Sequence, residues 1–221
     1  LDFSFQGSTV GFVLGRGRPV AFDHYLDERE QVRDGHLVSH YLSSHDTPGA
    51  IHTLDGDVEL FRMCVALQMT ARGIPCIFYG EEVGRRIGEW PDNRTDMPWG
   101  DRGIEPGDGI ARDESLREFY RALIAIRRAH PSIWRGEREG LVFGEHHLVF
   151  ARADSVSGDR LLVAVNRADE AVTAEVMPPA GWSGPAVDLL SDEQLPTGGG
   201  AIVIPIAPRT VRILAPAAGA R

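Results

Sequence analysis

The side chains best suited to chemistry in this sequence are His45 and Asp46, which follow a strand-like segment at residues 37–43. In parallel α/β proteins, functional residues gather where the strands end. A carboxylate beside a histidine at such an edge can bind vicinal sugar hydroxyls and stabilise an oxocarbenium-like transition state. The alternative is a simple turn in which Asp46 caps the following segment, and spacing alone does not choose between the two.

A second acidic pair, Glu81 and Glu82, follows the apolar segment 74–79. Retaining glycoside hydrolysis uses two carboxylates about 5 Å apart, so this pair could be interpreted as catalytic. Adjacent residues on a strand point to opposite faces, however, and the two carboxylates cannot easily line one pocket. We therefore predict a structural role for the pair.

The elements that would position these residues alternate between strands and helices up to about residue 138. The predicted strands cover residues 1–5, 37–43 and 74–79. The predicted helices cover residues 19–33, 57–73 and 114–129, the second capped by Asp57 and ending at Gly73. The segment 74–79 is continuously apolar, which is typical of a strand buried on both faces. The loop that follows, at about 84–112, is long enough to predict a functional role.

After Gly140 the chain consists of short apolar segments separated by turns rich in Gly, Asp and Pro. The strands predicted there cover residues 148–151, 161–165, 172–176, 186–190, 202–206 and 211–214. Strands alternating with helices, followed by strands alone, predict two domains, the first with a parallel sheet. We place them at residues 1–138 and 139–221, the second an antiparallel β-sandwich. The first holds too few strand–helix units to close an eight-stranded barrel, which takes about 250 residues.

The formal net charge of −9 and the pI of about 5.3 argue against some classes of partner. Nucleic acids and anionic membranes need concentrated Lys and Arg, so we expect neither. The sequence contains no apolar run of 18 residues, so we expect no membrane span and a cytoplasmic protein. A signal peptide belongs to the natural N-terminus, which we expect to lie before Leu1. Cys64 and Cys76 lie in apolar segments and are expected to be buried, without a disulfide or a metal.

Several segments, in order along the chain, resemble motifs of the α-amylase superfamily, the glycoside hydrolases built on a (β/α)8 barrel. YLSSHDT at 41–47 resembles its strand-seven motif, and GIPCIFYGEEVG at 73–84 resembles its strand-eight segment. WPDNRTDMPW at 90–99 is similar to the next loop in neopullulanase-like and maltogenic-amylase-like members. FYRALIAIRRAHPSIWRGE at 119–137 resembles the last barrel helix and the start of a C-terminal β domain, and LDFSF at 1–5 is a weaker match to strand six. The resemblance implies the C-terminal part of a TIM barrel, about strands six to eight, followed by a β-sandwich.

The resemblance also implies roles for individual residues. Asp46 corresponds to the carboxylate that stabilises the transition state, and His45 to the histidine that hydrogen-bonds the same sugar ring. Arg94 corresponds to a loop arginine that binds the next sugar toward the non-reducing end. The carboxylate usually paired with this arginine is replaced by Trp90, so either a nearby carboxylate such as Asp92 substitutes or the indole stacks on a sugar.

A second departure from the family pattern follows the His-Asp-Thr triplet. Many relatives have an arginine shortly after it, whereas this chain has Pro48, Gly49 and Ala50. Substrate specificity is therefore not carried over from the resemblance.

The family nucleophile and general acid follow barrel strands four and five, and the resemblance begins near strand six. The chain also opens at Leu1, inside a strand-like segment, as a processed or truncated polypeptide would. We therefore expect the N-terminal part of the same enzyme to be a separate or missing chain, and these 221 residues to be inactive by themselves. The implied substrate is an α-glucan or maltooligosaccharide. No cofactor or metal is expected, apart from a structural calcium ion that a full enzyme could hold.

Three other functions remain open at this point. The same motifs suit an α-glucan transglycosylase, because the acceptor side of such a site lies largely in the missing part. A non-catalytic binding or chaperone subunit is less favoured, since a site without chemistry need not keep His45, Asp46 and Arg94. The C-terminal sandwich could be a carbohydrate-binding module, but residues 140–215 contain no dense run of aromatic residues.

Overall fold

The computed structural model describes residues 1–33, 35–195, 197–198 and 200–217. Its helices are α1 (Phe5–Val13), α2 (Pro19–Glu30), α3 (Ala50–Thr53), α4 (Val58–Thr70), α5 (Glu114–Ala129) and α6 (Pro131–Trp134). Short 3-10 turns lie at Glu81–Val83 and Asp92–Arg94. Its strands are β1 (Ser39–Tyr41), β2 (Ile74–Cys76), β3 (Glu137–Phe143), β4 (His147–Ala153), β5 (Arg160–Asn166), β6 (Val172–Val176), β7 (Ala186–Asp188), β8 (Gln194–Leu195), β9 (Thr197–Gly198), β10 (Ala201–Ile206) and β11 (Thr210–Pro216).

The two longest helices, α4 and α5, form where the sequence predicts them, and an aspartate caps the start of each. The Asp57 carboxylate accepts hydrogen bonds from the backbone N–H groups of Glu59 at 3.1 Å and Leu60 at 3.0 Å. Asp113 accepts one from the N–H of Leu116 at 2.9 Å. Each cap stabilises its helix by about 1 kcal/mol.

The predicted strand at residues 1–5 is wrong except at Asp2, which forms an isolated parallel bridge with His40. Asp2 Oδ1 accepts hydrogen bonds from the backbone N–H of Ser4 at 2.9 Å and from its hydroxyl at 2.6 Å. These bonds turn the chain so that α1 begins at Phe5. Local bonds from a side chain to the backbone compete with strand pairing in this way.

The parallel sheet consists of β1 and β2, with Tyr41 opposite Cys76. The prediction that segment 74–79 is buried on both faces is wrong, because Ile74 is 49% exposed and Cys76 is exposed as well. The physical reason is that β2 has no second neighbouring strand among the described residues. The expectation of buried cysteines holds for Cys64, on α4, and fails for Cys76.

Gly73 does not end helix α4 as predicted. The helix ends at Thr70, before Gly73, and Ala71 already has an extended backbone. Gly73 has φ +108°, and a Cβ on it would lie 2.3 Å from the carbonyl oxygen of Val38. Glycine is thus required here because the chain passes close to the backbone just before β1.

Two antiparallel sheets make up the rest of the chain, in the orders β3-β4-β5-β11-β7-β8 and β6-β10-β9. They share an apolar core that includes Val149, Ile204 and Leu214. The six strands predicted in this part all form, although the one at 186–190 ends at Asp188. Strand β3 was not predicted, because its first residues are charged and obscure the alternation.

Buried arginines on the larger sheet connect it to the helices. Arg152, with no exposed surface, forms an ion pair with Glu30 on α2. Arg167 donates a hydrogen bond to the carbonyl oxygen of Phe12 on α1 at 2.9 Å. A single apolar core runs from the helices into this sheet.

The domain boundary near residue 138 stays a prediction. Across the described ranges, no helix has both the length and the apolar character needed to cross a membrane.

Candidate active site

The segment after β1 forms a closed loop at residues 43–49, called the 43–49 loop below. Its base is closed by a hydrogen bond from the N–H of Ala50 to the carbonyl oxygen of Leu42 at 3.0 Å. Inside it, the Ser44 hydroxyl accepts hydrogen bonds from the N–H groups of Asp46 at 3.1 Å and Thr47 at 3.2 Å. Ser44 therefore caps this turn, and the alternative in which Asp46 does so is wrong.

The Asp46 carboxylate instead faces two nitrogen-bearing side chains. Its Oδ1 lies 3.2 Å from His45 Nε2 and 3.6 Å from Arg94 Nη2. The Asp46 and His45 side chains are 66% and 61% exposed. Exposed ion pairs of this kind contribute less than about 1 kcal/mol to stability. The cluster thus adds little to folding and leaves its polar atoms open to a ligand.

Trp90 joins this cluster through Arg94, whose guanidinium carbon lies 4.5 Å from the centre of the indole ring. The indole is 70% exposed, so a flat apolar surface lies beside the carboxylate. Asp92 lies on the same turn and is exposed, but in the described part of the chain its carboxylate has no hydrogen bond or ion pair with the other four residues. The structure brings together His45, Asp46, Arg94 and Trp90 and leaves Asp92 apart.

Asn93 is a residue of this site that the sequence analysis missed. Its side chain is almost fully buried, and its Nδ2 donates a hydrogen bond to the carbonyl oxygen of His45 at 2.8 Å. On the other side of the loop, Gln6 Nε2 donates to the carbonyl oxygen of Pro48 at 2.5 Å. Neither contact has a sequence signal, because each joins segments more than forty residues apart.

The long loop after β2 is held at the site by Arg85. Its Nη1 donates to the carbonyl oxygen of Thr95 at 2.9 Å, and the Tyr79 hydroxyl donates to the same oxygen at 2.8 Å. The guanidinium carbon lies 3.9 Å from the centre of the Tyr79 ring. Burial lowers the pKa of Arg85, with nearby acidic groups opposing the shift. These contacts fix the far end of the turn that carries Arg94.

Glu81 begins the 3-10 turn Glu81–Val83 and is fully buried. The Tyr120 hydroxyl donates to Glu81 Oε1 at 3.2 Å. Burial raises the pKa of Glu81 to about 8, and the neighbouring Glu82 adds to the shift. A carboxyl group without solvent access cannot contact a sugar, which accords with the structural role predicted for it. In the described ranges, no group of three or more His, Cys, Asp or Glu side chains is arranged to hold a metal ion.

Comparison with known proteins finds similarity to enzymes of the α-amylase family. The profile of the α-amylase catalytic domain matches residues 18–97. A cyclomaltodextrinase from Geobacillus thermopakistaniensis is 33% identical over 156 residues, which are 69% of this chain and 24% of that protein. Neopullulanase 2 from Thermoactinomyces vulgaris is 28% identical over 201 residues, 88% of this chain and 33% of that protein. An α-amylase structure from Anoxybacillus superposes with a TM-score of 0.82 at 21% identity, covering 99% of this chain and 47% of that one.

The chain belongs to the α-amylase superfamily and has an α-amylase family fold. It spans about a quarter to a third of the length of the curated relatives described above.

Proposed function

We propose that this chain is the C-terminal part of a retaining glycoside hydrolase that acts on α-linked glucans and maltooligosaccharides, and that Asp46 stabilises its transition state. The observation that carries this proposal is the solvent-exposed carboxylate of Asp46. The Ser44 hydroxyl accepts the hydrogen bonds from the backbone N–H groups of this turn, so the Asp46 carboxylate is left exposed beside His45 and Arg94. The cyclomaltodextrinase and neopullulanase among the relatives support the substrate class.

The proposed chemistry follows from charge. As the glycosidic bond breaks, positive charge develops on the sugar ring, and a carboxylate fixed beside the ring lowers the energy of that state. His45 and Arg94 both lie beside Oδ1 of the carboxylate and can donate hydrogen bonds to sugar hydroxyls. The Trp90 indole offers a flat surface on which a neighbouring pyranose can stack, and Asp92 is an exposed carboxylate on the adjacent turn.

The proposal includes the remaining parts of the enzyme. The nucleophile and the general acid come from polypeptide outside these 221 residues, so the partner is the N-terminal part of the same enzyme. In this assignment, Asp2, β1 and β2 correspond to barrel strands six to eight, and residues 139–221 form a sandwich domain that covers the barrel. A cytoplasmic location belongs to the same proposal.

The test is Asp46→Asn in the intact protein, assayed on maltooligosaccharides. We expect kcat to fall at least about 100-fold, because the amide keeps the shape of the side chain and loses its charge. Asp101→Asn, an exposed aspartate in the long loop, is the matched control and should leave kcat unchanged. An Asp46→Asn enzyme with unchanged kcat, or turnover by the 221 residues alone, would contradict the proposal.

A further inference from the structure

A small cavity lies between helix α2, the end of α4 and the first two strands of the larger sheet. Its volume is about 10 Å³, which is enough for one water molecule or one ion of similar size. Cationic side chains in its wall outnumber carboxylates. The charged residues that line it are Arg29, Arg72, Arg138 and Arg152, with Asp2 and Glu30. His40 also lines the cavity and is uncharged near neutral pH, because burial lowers its pKa to about 4.

Two of these arginines, Arg138 and Arg152, lie directly opposite each other on strands β3 and β4. Their side chains are 3% and 0% exposed. Like charges at opposite positions in a sheet repel, and a buried cation without a counter-charge is costly. Helix α2 supplies both counter-charges, since Asp23 pairs with Arg138 and Glu30 pairs with Arg152. This pair of arginines is therefore neutralised within the protein.

Arg72, in the link after α4, has no counter-charge of this kind. Among the described residues its guanidinium makes no hydrogen bond and no ion pair. Arg127 donates hydrogen bonds to the carbonyl oxygens of Ala71, at 2.7 Å, and Gly73, and it too pairs with no carboxylate in that part of the chain. Burial and the nearby charge of Arg152 lower the pKa of Arg127 to about 10. The dipole of α4 offsets part of this charge, but positive charge remains in excess at the link.

Two donors at the cavity also lack an acceptor. The Nε atoms of Arg72 and Arg138 are buried without a hydrogen-bond partner among the described residues, and both side chains line the cavity. Nη1 and Nη2 of Arg138 both donate to Asp23, so its Nε–H is the donor that is left for another group. A buried N–H group without an acceptor costs free energy, which an acceptor in the cavity would recover.

The two carboxylates of the cavity wall already have partners. Asp2 accepts a hydrogen bond from the Tyr25 hydroxyl at 3.0 Å, and its Oδ2 lies 3.6 Å from Arg29 Nε. Both oxygens of Glu30 accept hydrogen bonds from Arg152. The group that suits the remaining donors must accept hydrogen bonds, carry negative charge and be close to water in size. These three requirements together describe a monatomic anion.

We propose that this cavity binds one chloride ion, held by Arg72 and by the Nε–H of Arg138. Hydrogen bonds between a charged donor and a charged acceptor are stronger than neutral ones, which favours the anion over water. The bound ion connects the link between α4 and β2 to strand β3 of the larger sheet. This site goes beyond the proposed function, since none of its groups belongs to the cluster around Asp46.

The direct test is X-ray diffraction from crystals of the intact protein soaked in sodium bromide, because the anomalous signal of bromide distinguishes a halide from water. We expect one bromide peak in this cavity, within hydrogen-bond distance of Arg72 and of Arg138 Nε. A water molecule without anomalous signal in the same place would overturn the proposal.

The test in solution is thermal unfolding of the intact protein while chloride replaces gluconate, an anion too large for the cavity, at constant ionic strength. An ion that binds the folded state alone raises the unfolding midpoint with the logarithm of its concentration, by about 2 °C for each tenfold increase above its Kd. Arg72→Gln should abolish this rise. Arg128→Gln removes the same charge from an exposed position on α5 and should keep it.

The gluconate series also separates an ion site from a purely structural role of Arg72. Because Arg72 makes no hydrogen bond among the described residues, Arg72→Gln should fold and should unfold in gluconate at a midpoint no lower than that of the wild type. A midpoint well below the wild type in gluconate, with an unchanged response to chloride, would mean that Arg72 acts through packing. Equal responses of the wild type to chloride and gluconate would also exclude the site.

Discussion

At the scale of single residues, Asn93 connects the turn at 92–94 to the 43–49 loop by its hydrogen bond to the carbonyl oxygen of His45. Asn93→Ala removes this bond and leaves a buried acceptor without a donor, at a cost of about 1–2 kcal/mol. We expect kcat on maltooligosaccharides to fall roughly tenfold, because displaced catalytic groups lose much of their effect. Steady-state kinetics and thermal unfolding measure the two effects.

The control for this prediction is Gln6→Ala, which removes the hydrogen bonds to the Pro48 carbonyl oxygen and the Thr47 hydroxyl on the other side of the same loop. It should reduce stability by a similar amount and change kcat less, since neither bond is made to His45 or Asp46. Equal losses of kcat in both variants would mean that the loop responds as a whole and that Asn93 has no special role.

The site residues differ in how far the sequence could predict them. His45 and Asp46 were found because they are adjacent, polar and placed after a strand, and a motif surrounds them. Asn93 could not be found, because its partner lies 48 positions away and its side chain is buried in an otherwise exposed turn. Gly49 appeared only as a departure from the family pattern, and the structure gives the steric reason for it.

At the scale of the element, the start of α4 depends on Asp57, which caps the helix and also pairs with Arg209 from the turn before β11. Asp57→Ala should lower the free energy of unfolding by about 1–2 kcal/mol, because two backbone N–H groups lose their acceptor. Arg209→Gln removes the partly exposed ion pair with Asp57 and two longer ones, with Glu59 and Asp169, and should cost less than about 1 kcal/mol. Denaturant unfolding measures both, and equal losses would argue against the cap.

The elements themselves show which predictions the sequence supports. The helices α4 and α5 were predicted correctly because local signals, a cap and an apolar stripe, agree with their packing. Segment 74–79 is predicted wrongly because its burial depends on a neighbouring strand, which no local pattern contains. Segment 1–5 is predicted wrongly because local hydrogen bonds between Asp2 and Ser4 turn the chain into a helix. An Asx turn at Asp2 and the edge position of β2 decided these two cases.

At the scale of the whole molecule, stability should depend on pH through His40. Burial lowers the pKa of His40 from 6.5 to about 4, so between these values the unfolded chain binds a proton that the folded chain does not. This group's contribution is complete above about pH 6.5 and falls by up to about 3 kcal/mol as the pH decreases toward 4. Unfolding of wild type and His40→Gln across this range measures the effect.

The quantity to compare is the difference in free energy of unfolding between wild type and His40→Gln at each pH, because Glu81 makes stability change with pH in the opposite direction. Its pKa is raised from 4.5 to about 8, so its contribution is lost as the pH increases through that range. The two slopes overlap and partly cancel in the wild-type protein. If His40→Gln shows the same pH dependence as the wild type below pH 6.5, another group is responsible.

Cys76 on β2 has an exposed thiol, so the accessibility of this strand can be measured by thiol labelling. Cys64 is buried, and burial raises the pKa of its thiol, so it is the slow internal reference. A maleimide reagent should therefore modify one cysteine quickly and the other only when α4 opens. A strand added beside β2 would shield Cys76. The labelling rate of Cys76 therefore measures whether the N-terminal part of the enzyme has bound, and the measurement requires no mutation.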